Sequence, residues 1–279
     1  VLDQLKLRKF VEKSLYQGSK TGFKVLNKTQ KAFKPQAIDK QRLPNQVNKN
    51  LFDLSLTEEQ QMTVDAMSQF AEEVLYALAH DADHQAQFPE QLWQHLVDLG
   101  LNDYALPEAL GGVAAEQNIV SNILIAESLA KGDFSLTAGL LSTFSVINAI
   151  TRWGSTQVQS MYLPVFAEDT DITATFAFQE ATPAFNPYQL KTKATEQNGQ
   201  MTITGEKTLV ILGDTADVFL VSAEFNGQPD IFVVQSNETI AIKANPAMGL
   251  KAAETATLHF NQTPALRLDD ADFDYTAFV

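Results

Sequence analysis

His80-Asp81-Ala82-Asp83-His84 sets two histidines one helical turn apart with carboxylates between them, the spacing by which a helix could offer two imidazoles to a zinc ion. A catalytic zinc takes a third ligand, and Asp stands here in place of the longer Glu of such helices, so the segment reads as a solvated helix end and no metal ligand is assigned. Among four histidines none lies in a nucleophile motif. Gly111-Gly112 is an isolated pair, and no G-x-x-x-x-G-K or G-x-G-x-x-G cradle for phosphates exists. The chain has no cysteine, which excludes a disulfide framework, thiolate metal sites and a cysteine nucleophile; redox chemistry would need a cofactor. Glu180 closes a hydrophobic run and could be a general base, but a carboxylate there is more commonly a cap or an ion-pair member. No catalytic residue is assigned.

Two kinds of element must position these groups. From Leu56 to about Ala167 apolar residues recur at helical spacing. Thr57 with Gln60 forms a capping box opening a helix through Val64, Met67, Phe70, Ala71 and Val74. Pro89 suits the first position of a second helix, through Leu92, Leu96 and Leu99 to a stop at Gly100. Ile119, Ile123, Ala126 and Ala130 predict a third buried stripe, and Ser135 to Trp153 is apolar almost all round, as in the middle of a bundle. A short helix from Ser155 carries Val158, Met161 and Tyr162 and ends before Pro164. After Asp171 the period changes to two. Ile172 to Phe178, Val218 to Ala223, Ile231 to Gln235, Thr239 to Ala244 and Thr255 to Phe260 read as strands, and Asn198-Gly199 and Asn226-Gly227 as hairpin turns. The fold class is α+β: an N-terminal helical bundle, then a small antiparallel β-barrel or sandwich of about seven strands. Residues 1–50 form a basic arm and linker, 51–170 the helical part and 171–279 the β part.

The net charge of -14 is unevenly spread. Residues 1–50 carry twelve Lys and Arg against three acids, +9, which leaves 8 bases against 31 acids, -23, in the remainder. That acidic body repels nucleic acid, and no nucleic-acid partner is expected. Leu7, Phe10, Val11 and Leu15 with Arg8, Lys9 and Lys13 give the arm a basic amphipathic stripe. Two readings stand open for residues 1–34: peripheral contact with an anionic membrane surface, and an arm lying across the acidic body of its own or a partner subunit. The long apolar stretch Leu136 to Ile150 is interrupted by Thr137, Ser142, Thr143, Ser145 and Asn148 and is not expected to span a membrane.

Landmarks stand in order along the helical part: Leu56-Thr57-Glu58-Glu59-Gln60, Phe88-Pro89-Glu90-Gln91-Leu92-Trp93, Leu106-Pro107-Glu108 with Gly111-Gly112, Ile125-Ala126-Glu127-Ser128-Leu129-Ala130, Trp153-Gly154-Ser155 and Tyr162-Leu163-Pro164. In the β part they continue with Phe176-Ala177-Phe178-Gln179-Glu180, Ile203-Thr204-Gly205-Glu206-Lys207-Thr208, Met248-Gly249-Leu250-Lys251 and Thr255 to Phe260. On these landmarks the chain resembles the acyl-CoA dehydrogenases from Leu56 to Asp270. The arm, with Tyr16-Gln17-Gly18-Ser19-Lys20-Thr21-Gly22-Phe23, resembles the longer bacterial members.

This resemblance implies FAD-dependent α,β-oxidation of an acyl-CoA thioester in lipid metabolism, in a full-length protein that is homo-oligomeric (dimeric or tetrameric). A cytoplasmic location is expected, with the inner membrane as the surface under the membrane-contact reading of residues 1–34. The resemblance also implies cofactor contacts at Phe176, Phe178, Gln179, Phe185, Leu209 and Ile211. The family's Thr-Glu-Pro-x-Ala-Gly-Ser-Asp becomes Gln179 to Asn186, so the flavin-contacting threonine falls on Gln179 and the serine near the pyrophosphate on Phe185. A second threonine falls on Ile211. The family's catalytic carboxylate comes from a C-terminal helical bundle whose lead-in resembles Asp272-Phe273-Asp274-Tyr275; Val279 follows, so this chain alone is expected to be inactive and to expose an apolar face near Trp153 and Phe166. The departures leave a second reading open, a non-catalytic scaffold or partner subunit with a degraded flavin site.

Overall fold

Thr57 opens the first helix as its capping box requires: its hydroxyl accepts the Gln60 N–H and the Gln60 side chain accepts the Thr57 N–H. Helix α1 (Glu58–Phe70) runs through one π-turn, Ala71–Leu75, into α2 (Tyr76–Gln85). Helix α3 spans Gln91–Leu99, and Gly100 ends it in the left-handed conformation at φ 62° that a side chain resists. Pro89 precedes this helix rather than beginning it; its carbonyl accepts the Leu92 N–H. Then follow α4 (Ile119–Ala130), α5 (Phe134–Trp153) and α6 (Thr156–Glu168). The computed structural model describes residues 55–112, 119–168, 172–269 and 273–279, of which Leu56–Val279 packs as one unit. The basic arm lies outside the described residues.

Helix α5 is the central helix. Asp133 caps it, accepting the Leu136 N–H at 2.8 Å, and eleven of its residues are buried. By length and composition it could cross a membrane, but most of it is covered by this protein. Its Gly139 allows Phe88 to lie against the backbone: a Cβ there would stand 2.4 Å from the ring. Gly139→Ala is expected to cost about 1–3 kcal/mol by overpacking, and urea unfolding checks it; a change below about 0.5 kcal/mol would mean Phe88 gives way freely.

Two expectations in the helical part are corrected. Helix α6 continues through Pro164 to Glu168 instead of stopping before it. On α4 the stripe that turns inward is Ile125, Ser128 and Leu129, whereas Ile119 and Ile123 are 59% and 58% exposed. That helix is apolar on nearly every side, so periodicity could not choose which face is covered.

The β part contains seven strands: β1 (Ala174–Ala177), β2 (Lys193–Gln197), β3 (Gln200–Val210), β4 (Val218–Phe225), β5 (Gln228–Gln235), β6 (Ile240–Ala244) and β7 (Ala256–Arg267). Asn198-Gly199 and Asn226-Gly227 have positive φ at both residues and close the β2–β3 and β4–β5 hairpins. The strands β4, β2, β3, β7 and β5 form a closed ring, with β6 added to β7 and β1 to β4. The expected all-antiparallel pairing needs two changes: β1 runs parallel to β4, Ala174 opposite Val218, and β2 meets β4 in parallel where Lys193 stands opposite Glu224. The ring interior is filled by Phe219, Val221, Phe232, Val234, Leu258 and Phe260. The opposite faces of the same strands, through Val218, Leu220, Ile231 and Val233, join the helical core of Leu136, Leu140, Ile147 and Phe166.

Thr143 ties the two parts, since its hydroxyl accepts the Ala174 N–H at 2.9 Å. The apolar face expected near Trp153 and Phe166 is only partly present among the described residues: Phe166 is buried and Trp153 packs edge-on to Phe273 and Phe278, while Met161 and Val165 on α6 stay exposed. A single helical turn, α7 (Tyr275–Phe278), brings these last aromatics in.

Candidate functional site

The exit of β1 carries the most concentrated set of candidate residues. Phe176 and Phe178 stand on one side of the strand by simple alternation, with ring centroids 5.4 Å apart and planes at 62°. Phe278 stacks on Phe178 at 5.9 Å and 12° and meets Phe176 at 6.3 Å. Trp153 lies 6.1 Å from Phe278. Together they form an aromatic shelf. Gln179 follows; its carbonyl accepts the Thr208 N–H at 2.8 Å, and its side-chain amide has no hydrogen-bond partner among the described residues.

Thr208 leads to the other half of the site. The register of β3 on β7 slips between Lys207 and Val210, two residues, Thr208 and Leu209, facing one, Thr257. This bulge sets Leu209 at φ 54° and turns its side chain outward, 56% exposed. Ile211 is half-buried against the helical core and presents no hydroxyl. The neighbouring hydroxyl, on Thr208, is engaged by Thr257 Oγ1 at 2.9 Å and by Asn245 Nδ2 at 3.2 Å. Thus Phe176, Phe178, Gln179, Leu209 and Ile211 come from two strand ends joined by a main-chain bond. Phe185 lies apart, half-buried in the loop 181–190, and no ring contact joins it to the shelf among the described residues.

Behind the strand end is a group that sequence reasoning passed over. Lys207 is 0% exposed. Its Nζ donates to Glu180 Oε1 at 2.9 Å, Ser222 Oγ at 2.9 Å and the Phe178 carbonyl at 3.1 Å. Glu180 also accepts the N–H groups of Lys191 and Thr192 at 2.9 and 3.0 Å. Burial pushes the Glu180 carboxyl up, but the Thr192 and Lys191 N–H groups and Lys207 outweigh it, and it titrates below its ordinary range. Burial pulls the Lys207 ammonium down to about 8 in spite of Glu180. The signal in the sequence is parity: Ile203, Gly205 and Lys207 share one face of β3, and Ile203 is buried. Glu180 is therefore an ion-pair member, one of the three roles open to it.

Two depressions adjoin these elements. Helices α4 and α5 leave an apolar groove of about 290 Å³ lined by Ile119, Ile123, Ala126, Leu141 and Phe144, with Asn122 bonded to Asn148 at 3.1 Å along it. A cleft of about 730 Å³ between α2, α3 and the loops after β3 and β6 is lined by Asp81, Glu90, Asp214 and Glu254. Burial and Asp214 raise the Glu254 carboxyl, so this cleft is unsuited to phosphates. His80 and His84 are exposed on α2, and no cluster able to hold a metal occurs among the described residues.

Tested against FAD, the shelf offers apolar aromatic surface and, at Gln179, an amide unbonded among the described residues, which fit the edge of a flavin ring; Phe185 offers nothing to a pyrophosphate, and Phe278 covers the ring face of Phe178. The fit is therefore to the ring end of the group.

Family models match two stretches: "Acyl-CoA dehydrogenase, N-terminal domain" over residues 57–170 and "Acyl-CoA dehydrogenase, middle domain" over 175–263. Cyclohex-1-ene-1-carbonyl-CoA dehydrogenase of Geobacter metallireducens is 30% identical over 168 residues, 60% of this chain and 44% of its own length. Butyryl-CoA dehydrogenase from Megasphaera elsdenii superposes with a TM-score of 0.70 at 24% identity, covering 78% of this chain and 60% of that one. A glutaryl-CoA dehydrogenase from Mycobacterium smegmatis, solved in complex with FADH2, gives 0.70 at 22% identity over 80% and 58%. The chain spans about half the length of the curated relatives it matches. With both models aligned in order over most of its length, this chain belongs to the acyl-CoA dehydrogenase family.

Proposed function

We propose that this chain is the N-terminal and middle part of an oxidoreductase that binds FAD and acts on an acyl-CoA thioester. The observation that carries the reading is the aromatic shelf of Phe176 and Phe178 with the Gln179 amide, which has no hydrogen-bond partner among the described residues, set on the family's scaffold at the end of β1. FAD, when bound, supplies the hydride acceptor for the carbon chain. The residues of this chain hold and orient: Phe176 and Phe178 pack against flat apolar surface and exclude water, while Gln179 offers its amide to a polar ring edge. The groove between α4 and α5 suits a hydrocarbon chain, its walls apolar and its length marked by Asn122 and Asn148. The proton-accepting carboxylate and the subunit contacts of a dimer or tetramer are assigned to no residue of this chain.

The stacking of Phe278 on Phe178 and the hydroxyls missing at Phe185 and Ile211 favour a second reading, a non-catalytic family scaffold that assembles with an intact dehydrogenase. The visible spectrum of the full-length protein separates the two. Flavin bands that bleach when an acyl-CoA is added anaerobically support oxidation; a folded full-length protein with no flavin absorbance after FAD addition defeats it and leaves the scaffold.

A further inference from the structure

We propose that Glu180 and Lys207 are a positioning pair for the candidate site, closing the neck of the loop 181–190 and fixing the strand end that presents Phe178 and Gln179. The assignment rests on the reading above only for what the loop would hold.

The carboxylate of Glu180 stands at one end of the loop and takes the N–H groups of Lys191 and Thr192 at the other, so a single side chain joins both ends. Between them the loop has little of its own: a turn from Thr182 N–H to the Glu180 carbonyl, bonds from Gln189 N–H to the Asn186 carbonyl and from Tyr188 N–H to Asn186 Oδ1, and a left-handed Ala184 at φ 52°. From outside, Tyr275 holds it twice, its Oη donating to the Pro187 carbonyl at 2.9 Å and its ring meeting that of Tyr188 edge-on at 5.8 Å. Lys207 extends the clamp backward, since its Nζ holds the carbonyl of Phe178, the residue before Gln179, and links it to Ser222 on β4. Without the lysine that carbonyl keeps only Ser222 Oγ, at 3.3 Å. An apolar pair of similar volume would serve a core as well or better, because desolvating two charges offsets their attraction. What apolar side chains cannot supply is a directional acceptor for two N–H groups and a donor for one carbonyl, and these set the path of the loop.

Phe185 and Tyr188 make the loop its own reporter, because chymotrypsin cleaves after both. Native-state proteolysis at these residues and hydrogen exchange at Lys191 and Thr192 should be followed in the whole chain and in Lys207→Arg, Lys207→Met and Glu180→Gln/Lys207→Met. Lys207→Met and the double variant are expected to speed both by about tenfold to a hundredfold, the loss of one or two charge-assisted bonds, and Lys207→Arg to restore protection. Should Lys207→Met fail to fold, the double variant, which leaves no buried charge alone, carries the test. Cleavage and exchange that rise only in step with global unfolding, or that match the parent, would overturn the assignment. Neither readout involves a flavin, so a protein that binds no FAD leaves this result standing.

Discussion

Lys207→Met is expected to lower the unfolding free energy by about 3 kcal/mol, the low end of what breaking a buried pair costs, because Glu180 keeps two N–H donors. Glu180→Gln/Lys207→Met should recover about half of that loss, since it removes the remaining buried charge. Guanidinium unfolding of the four corners of this cycle measures both effects. The lysine also leaves a signature in pH. Its folded value, about 8, lies below its ordinary 10.5, so between these values the unfolded chain holds a proton that the folded chain has released. Stability then rises with pH across that window, is complete above the unfolded value and is lost again as pH falls through the folded one. The rise should vanish in Lys207→Met. A variant as stable as the parent, with the pH dependence intact, would show that the ammonium is not held where the structure has it.

The second large effect concerns the cofactor. In the full-length protein, Phe185→Ser/Ile211→Thr should raise affinity for FAD by about 10², taking each restored polar partner at about 1–3 kcal/mol and each 1.4 kcal/mol as tenfold. Titration followed by flavin absorbance and by retention on gel filtration gives the number. Ile211 packs against the helical core, so some loss of stability should accompany the gain, and the two are measured separately. Unchanged affinity would mean that neither position touches the flavin and that the correspondence drawn from the sequence pattern slips in this segment.

How far the sequence disclosed the molecule depended on how local each determinant was. The Thr57 cap, the Gly100 stop and the two Asn-Gly hairpins are settled within a few residues of themselves, and each stands where its pattern put it. The parallel pairing of β1 with β4 depends on strands far apart in the chain, and no local periodicity encodes it. The covered face of α4 was ambiguous because nearly all its faces are apolar. At the site, the shared side of Phe176 and Phe178 follows from a short run of alternation, whereas Leu209 points outward because of a bulge that only the partner strand reveals. Lys207 was assigned no role from the sequence; its burial follows from Glu180 and Ser222, which lie on other elements.

The hydrophobic interior that begins among α1, α3 and α5 continues without a break across one face of the barrel, through Ala174, Leu212, Val218, Leu220, Ile231 and Val233. Recombination between relatives at the junction after residue 170 would exchange half of a shared interior, so chimaeras need matched partners on both sides of the seam. Inheritance as an inseparable block follows: substitutions at Leu140 or Phe166 must be tolerated by the strands as much as by the helices.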